Sequence, residues 1–233
     1  MRWMALLTGV LLAAPVLGQD NNAEKLYHKM EKKVRSAKAI HVVFDGDMTG
    51  EGKKGKFNGS LDLAEGNKLR LDCSGDFGGE AMKILAICDG KVSYVALNGK
   101  VQPQSPNTED ADFAKALGLF ARAGAMGIMH LHHTGKADKK EHGELDKMAA
   151  IKDFKLGGKE KIGTHETQAV QFHLDFAKEA TAQVTVWIDM ATDLPVKREM
   201  SVDENGKTFR AVERFTAFDL NPTTDVKTFQ LPK

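Results

Sequence analysis

The chain has 233 residues, with 33 basic and 32 acidic side chains, eight His, two Cys and a formal net charge of +1. Residues 1–18 read as a secretory signal peptide: Arg2 supplies the positive start, the run that follows is apolar apart from Thr8, Gly9 and Pro15, and Val16-Leu17-Gly18 ends on a small residue. Removing it leaves 215 residues with 32 charges of each sign, a neutral body that argues against nucleic-acid binding and against polybasic attachment to anionic membranes.

Nothing after Gly18 approaches the roughly 20 apolar residues that a membrane helix needs. A lipid anchor would need Cys directly after the cleavage point, and Gln19 stands there. The expectation is a protein exported without an anchor, with residues 19–233 forming one domain, and with both cysteines in an oxidising space.

The spacing of Ala23, Leu26, Tyr27, Met30, Val34 and Ala37 predicts an amphipathic helix over 21–38, with Asn21 and Glu24 as a capping box. The period then switches to two. Ile40, Val42 and Phe44 alternate with His41, Val43 and Asp45, and Phe57, Leu61 and Leu63, then Leu69, Leu71 and Cys73, alternate with polar neighbours. Residues 83–88 and 92–97 follow around the turn Asp89-Gly90, so this half reads as an antiparallel meander.

Pro103, Pro106 and Asn107 mark a loop, and 110–133 is helical in pattern, with Phe113, Leu117, Phe120 and Ile128 on one side. Gly118, Gly124 and Gly127 interrupt that stretch. Each costs roughly 1 kcal/mol against Ala in a helix interior, so the helix is expected to be kinked, mobile or split. Strands resume at 151–156, 159–163, 168–176, 183–189, 195–202 and 207–219, the last pair joined by the Asn205-Gly206 turn. The total is about eleven strands.

Several motifs fail on context. Gly50-Glu51-Gly52-Lys53-Lys54-Gly55 spells a dinucleotide fingerprint and, with Lys56, most of a phosphate-binding loop. Both need a helix to follow, whereas 57–63 alternates as a strand, and Phe57 takes the place of the magnesium-binding hydroxyl. His165-Glu166 opens like a zinc-protease helix, but Ala169 stands where the second His belongs. The carboxylates are expected on turns and strand exteriors. No catalytic constellation emerges, so neither an enzyme nor a cofactor is expected.

His130, His132, His133 and His142 form the one cluster that could carry metal chemistry, with a solvated helix end as the alternative. If the hairpin between their strands turns near Glu80-Ala81, Cys73 and Cys88 stand opposite one another. A disulfide there would contribute roughly 3 kcal/mol. Two free buried thiols are the alternative.

The order of short segments carries a resemblance. Gly59-Ser60-Leu61-Asp62-Leu63, the turn Glu65-Gly66-Asn67, Lys68-Leu69-Arg70-Leu71-Asp72 and Asp89-Gly90-Lys91 precede the helical insertion. Val186-Trp187-Ile188-Asp189, Leu194-Pro195-Val196-Lys197-Arg198 and Phe229-Gln230-Leu231-Pro232 follow it. Across residues 23–232 this resembles the periplasmic lipoprotein carrier superfamily, LolA/LolB-like. The resemblance implies a mainly β fold with helices (α+β): an incomplete, curved antiparallel β-barrel of about eleven strands under a helical lid. It also implies an apolar cavity for acyl chains. Phe57, Leu61, Leu63, Leu69, Leu71 and Ile84 are its candidate lining, and Phe113, Leu117, Phe120 and Ile128 its lid residues. Where the carrier has an Arg-Pro pair that holds the lid closed, this chain has Glu65 and Gly66, and its one Trp after the leader is Trp187.

The expected function is therefore that of a soluble periplasmic monomer carrying a lipid or the acyl chain of a lipoprotein. The alternative is a binding or scaffold module on the same fold, with a filled core and a protein or envelope partner.

Overall fold

The computed structural model describes residues 19–102, 113–134, 145–176, 180–204 and 206–232. The predicted leader lies outside them.

Among the described residues, eleven strands form one antiparallel sheet. The first meander is β1 (Ala39–Gly50), β2 (Lys53–Ala64), β3 (Lys68–Phe77), β4 (Glu80–Asp89), β5 (Ser93–Leu97) and β6 (Lys100–Val101). The second is β7 (Ala149–Ile162), β8 (His165–Phe176), β9 (Ala180–Asp189), β10 (Pro195–Glu204) and β11 (Lys207–Leu220). They meet where β11 pairs with β1, giving the order β6-β5-β4-β3-β2-β1-β11-β10-β9-β8-β7. β6 and β7 are the two free ends, so the sheet does not close.

The expected strand count of about eleven is met, but the list differs at two places. The segments 151–156 and 159–163 are one strand, β7, whose pairing with β8 slips around Asp153-Phe154 and Gly157-Gly158. Two local irregularities look like a strand boundary when only the pattern is read. The very short β6 was not anticipated.

Alternation sets the inner face. Ile40, Val42 and Phe44 on β1 pair with Leu63, Leu61 and Gly59 on β2. Leu61 and Leu63 pair in turn with Leu71 and Leu69 on β3. On the other side Val170, Phe172 and Leu174 of β8 lie beside Val186, Val184 and Ala182 of β9. All of these except Gly59 and Leu69 are at most 2% exposed.

Glycines let the wall bend toward this interior. A Cβ on Gly46 would sit 2.3 Å from Cζ of Phe57 and 2.2 Å from the carbonyl of Val212. One on Gly59 would sit 2.9 Å from Cζ of Phe44. Each ring lies over the bare backbone of the adjacent strand, the close approach that glycine permits.

Helix α1 (Gln19–Arg35) presents Ala23, Tyr27, Met30 and Val34, each fully buried. It starts earlier than the pattern predicts, so Asn21 and Glu24 lie inside the helix and form no capping box at its start. Tyr27 stacks against Phe172 and Phe154, with centroids 4.7 and 5.2 Å away. On the outer face the C-terminal 3-10 turn Val226–Phe229 packs on β3 and β4, which buries Ile87 and Phe229.

The predicted disulfide is absent: Cys73 and Cys88 are both free thiols. The hairpin turns at Gly78-Gly79, two residues before the position assumed, because both glycines take positive φ. Cys73 therefore faces Ile84, and Cys88 faces Leu69. Four residues of offset separate them by roughly 13 Å along the strands, beyond the ~7 Å that a disulfide can span. Both still share the inner face with Leu69 and Leu71. Burial pushes the Cys73 thiol up to about 12. Neither thiol should react with a maleimide in the native protein, and both should react in denaturant. A reductant should leave the melting temperature unchanged; a reductant-sensitive melt would contradict the register.

Candidate functional site

The interior of the unclosed sheet holds helix α2 (Phe113–Thr134), which crosses it between the two meanders and packs on α1, β2 and β7. The short helix α3 (Leu145–Met148) closes over it. A cover for the concave face was expected. α2 is more than a cover, because residues 117–125 are all buried, one after another. A helix buried on every side is a core element, unlike an amphipathic surface helix.

All ten candidate lining and lid residues converge here. Phe57, Leu61, Leu63, Leu69, Leu71, Leu117, Phe120 and Ile128 belong to one continuous buried cluster, and Ile84 and Phe113 pack against it half-buried. Phe120 meets the rings of Phe215 and Phe218 at 5.9 and 5.7 Å.

The helix is not continuous. Gly124 has φ +70° and ψ −162°, which splits α2 into 113–123 and 125–134. The break exposes the carbonyls that end the first half and the amides that begin the second. In a dry interior such groups need partners, and two strand residues supply them. The Arg198 guanidinium donates from Nη1 to the Phe120 carbonyl at 3.0 Å and from Nη2 to the Ala121 carbonyl at 2.7 Å. The Met126 amide donates to Glu213 Oε1 at 2.8 Å. Arg198 on β10 and Glu213 on β11 are direct partners in the sheet register, and they are only 1% and 2% exposed.

Each charge faces the helix end that favours it: the cation meets the negative end of the first half, and the anion the positive end of the second. Burial pushes the Glu213 carboxyl up, against the pull of Arg198 and the helix amides. Burial lowers Arg198, against the opposing effect of Glu213. Two atoms of the pair stay unsatisfied: Arg198 Nε and Glu213 Oε2 have no hydrogen-bond partner.

A second guanidinium fastens the outer side of α2. Arg122 Nε donates to Glu31 Oε1 of α1 at 2.7 Å, while Nη1 reaches the Ala149 carbonyl at 2.7 Å and Asp146 Oδ1 at 2.6 Å. Tyr27 adds a long hydrogen bond to the Ala121 carbonyl, 3.4 Å.

These charged residues were missed in the sequence, and Glu31 and Glu213 correct the expectation that the carboxylates sit on exteriors. A signal existed. Val196, Arg198 and Met200 share one strand face, as do Ala211, Glu213 and Phe215, so a charge stands at an inward position on each strand.

The histidine cluster gains no support. His130, His132 and His133 fall on the last turns of α2, where the side chains are outside the described set, and His142 lies outside the described residues. Among the described residues, no group of three or more His, Cys, Asp or Glu is placed to hold a metal ion. No helix among them is long and apolar enough to cross a membrane.

Two depressions of about 430 and 460 Å³ lie on the outer face, along β7 to β11. They share Glu160 and Glu199, and Trp187 stands in the second with Lys197 Nζ 4.0 Å from its ring. Both are open and charged, unlike the interior.

An unclosed antiparallel sheet holding helices in its hollow is the architecture that the resemblance implies. The fold is LolA-like. The guanidinium bound to the helix comes from β10, as Arg198, and not from the turn at Glu65-Gly66.

The sequence matches no protein-family model and no curated protein at a significant level. Among solved structures, the chain is similar to LprF from Mycobacterium bovis at 13% identity, covering 88% of this chain and 96% of that one, with a TM-score of 0.49. It is similar to a LolA superfamily protein from Nitrosomonas europaea at 10% identity, covering 90% and 97%, with a TM-score of 0.36. It is also similar to the Pseudomonas aeruginosa MucA/MucB complex at 14% identity, covering 91% of this chain and 61% of that one, with a TM-score of 0.38.

Proposed function

We propose that this protein is an exported, periplasmic acyl-chain carrier, and that α2 occupies the acyl site while the carrier is empty. The observation that carries the reading is a broken helix, buried on every side over residues 117–125 and held in an apolar hollow by a buried charge pair. A static core has no need of such a device. A buried ion pair is often no more stabilising than apolar residues of similar volume, and glycine weakens a helix. A helix that must leave its place gains from both: a glycine break at which one half can turn, and a few polar contacts that can be exchanged.

In this reading Phe57, Leu61, Leu63, Leu69, Leu71 and Ile84 form the wall that an acyl chain would touch. Phe113, Leu117, Phe120 and Ile128 are the helix residues it would displace. The transfer is a binding event and uses no catalytic group or cofactor. The protein would work as a monomer, taking a lipid or the acyl chain of a lipoprotein from one envelope partner and passing it to another.

The unbroken burial of residues 117–125 of α2 favours a second reading, in which the core stays filled and a protein or envelope partner binds outside. Native mass spectrometry of gently purified protein separates the two. The carrier reading expects adducts with the masses of lipids or acylated peptides, lost on organic extraction and regained on incubation with lipid vesicles. Failure to recover or take up any acyl compound would leave the filled-core module.

A further inference from the structure

The carrier reading names an acyl ligand but not how its polar end is held. Resting on that reading, we infer that Arg198 and Glu213 form a recognition site for the acyl carbonyl and the donor group beside it, and that the break in α2 imitates that group.

The pair now binds two backbone carbonyls, of Phe120 and Ala121, through a guanidinium, and a backbone N–H, of Met126, through a carboxylate. Those are the functional groups at the head of an acyl chain. An ester or amide carbonyl is a neutral acceptor like the helix carbonyls. The adjoining glycerol hydroxyl or amide N–H is a donor like the helix amides. When α2 leaves, the two charges lose these partners deep in an apolar wall, where an unpaired charge is strongly unfavourable. A bare hydrocarbon tail would leave them so. A ligand carrying a carbonyl with a neighbouring donor would replace what the helix gave.

Two further observations support the assignment. Arg198 Nε and Glu213 Oε2 are unpartnered in the helix-filled state, so the helix does not saturate the pair and a ligand could add contacts. A Cβ on residue 124 would also fall 1.9 Å from Glu213 Oε2 and 2.6 Å from Arg198 Nη1. The break thus brings bare backbone, with no side chain between, against the two charges.

The chemistry is shared by acylglycerols and by N-acylated peptides, and binding measurements on the full mature chain distinguish them. Three probes of equal chain length are compared: a monoacylglycerol, the matching alkyl glycerol ether, which lacks only the carbonyl, and an N-acyl dipeptide. The wild type should bind at least one carbonyl probe about tenfold more tightly than the ether, the effect of about one charge-assisted hydrogen bond. The tighter of the two carbonyl probes names the source. In R198M/E213L that preference should fall to about one. Equal binding of all three probes by the wild type overturns the inference and leaves the carrier reading standing. Binding of none overturns both. A preference retained in the folded double variant also overturns it, and the wild-type ester-to-ether ratio decides the matter should the variant not fold.

Discussion

Gly124→Ala should destabilise the protein by about 3 kcal/mol or more, read from urea unfolding. Two costs combine. The backbone at φ +70°, ψ −162° lies in a region nearly confined to glycine, where other residues carry strain of roughly 1–3 kcal/mol. The new methyl would also lie 1.9 Å from Glu213 Oε2, and overpacking a tight interior typically costs a further ~1–3 kcal/mol. Relief would require moving one of the two charges off the helix ends. Gly118→Ala is the control on the same helix. Its Cβ would meet Cδ2 of Leu145 at 2.3 Å, the free end of a side chain that can turn away, and alanine is the better helix former by roughly 1 kcal/mol. That change should alter stability by no more than about 1 kcal/mol. Similar losses at both glycines would mean that the break is incidental.

Arg198→Met should cost about 3–5 kcal/mol, since it leaves the Glu213 carboxylate buried without its counter-charge, the Phe120 carbonyl without the guanidinium, and the Ala121 carbonyl with only the long Tyr27 hydrogen bond. Arg198→Met with Glu213→Leu should recover much of that loss, because removing both charges removes the mutual dependence. Urea unfolding of the wild type, both single variants and the double variant closes the cycle. A double variant as unstable as the sum of the singles would show the two residues acting independently, and the account of a single paired device at the helix break would fail. If the pair serves the ligand rather than the fold, the stability recovered in the double variant should come with loss of the carbonyl preference.

Most of the scaffold was legible in the sequence because a sheet with one wet and one dry face imposes a period of two. Val184, Val186 and Ile188 alternate on β9 and are all fully buried. The inward parity of Leu69, Leu71, Cys73, Ala86 and Cys88 was readable even though the hairpin turn was placed two residues late, since that shift moves the register by four and leaves the faces unchanged. The disulfide failed for the same reason: parity tells which face a thiol is on but not how far along the strand its partner lies.

The helix break was legible only as a surplus of glycines. Gly118, Gly124 and Gly127 look alike in the sequence, and tertiary contacts alone make Gly124 the break. Arg198 and Glu213 were overlooked because a charge is ordinarily solvated. Their inward positions become meaningful only once a helix with unsatisfied ends is known to lie above them. Arg122 and Glu31 are 91 positions apart in the chain, and no local pattern links them.

Hydrogen exchange of the backbone amides, with and without a bound monoacylglycerol, tests the central claim most directly. Without lipid, the Met126 amide, held by Glu213 at 2.8 Å, should exchange as slowly as the amides of β8 and β9. With saturating lipid, protection should fall across 120–128 while β8 and β9 keep theirs, because the acyl chain takes the place of α2 in the hollow. Lipid bound with α2 still fully protected would contradict the account, placing the ligand elsewhere and making the helix a permanent part of the core.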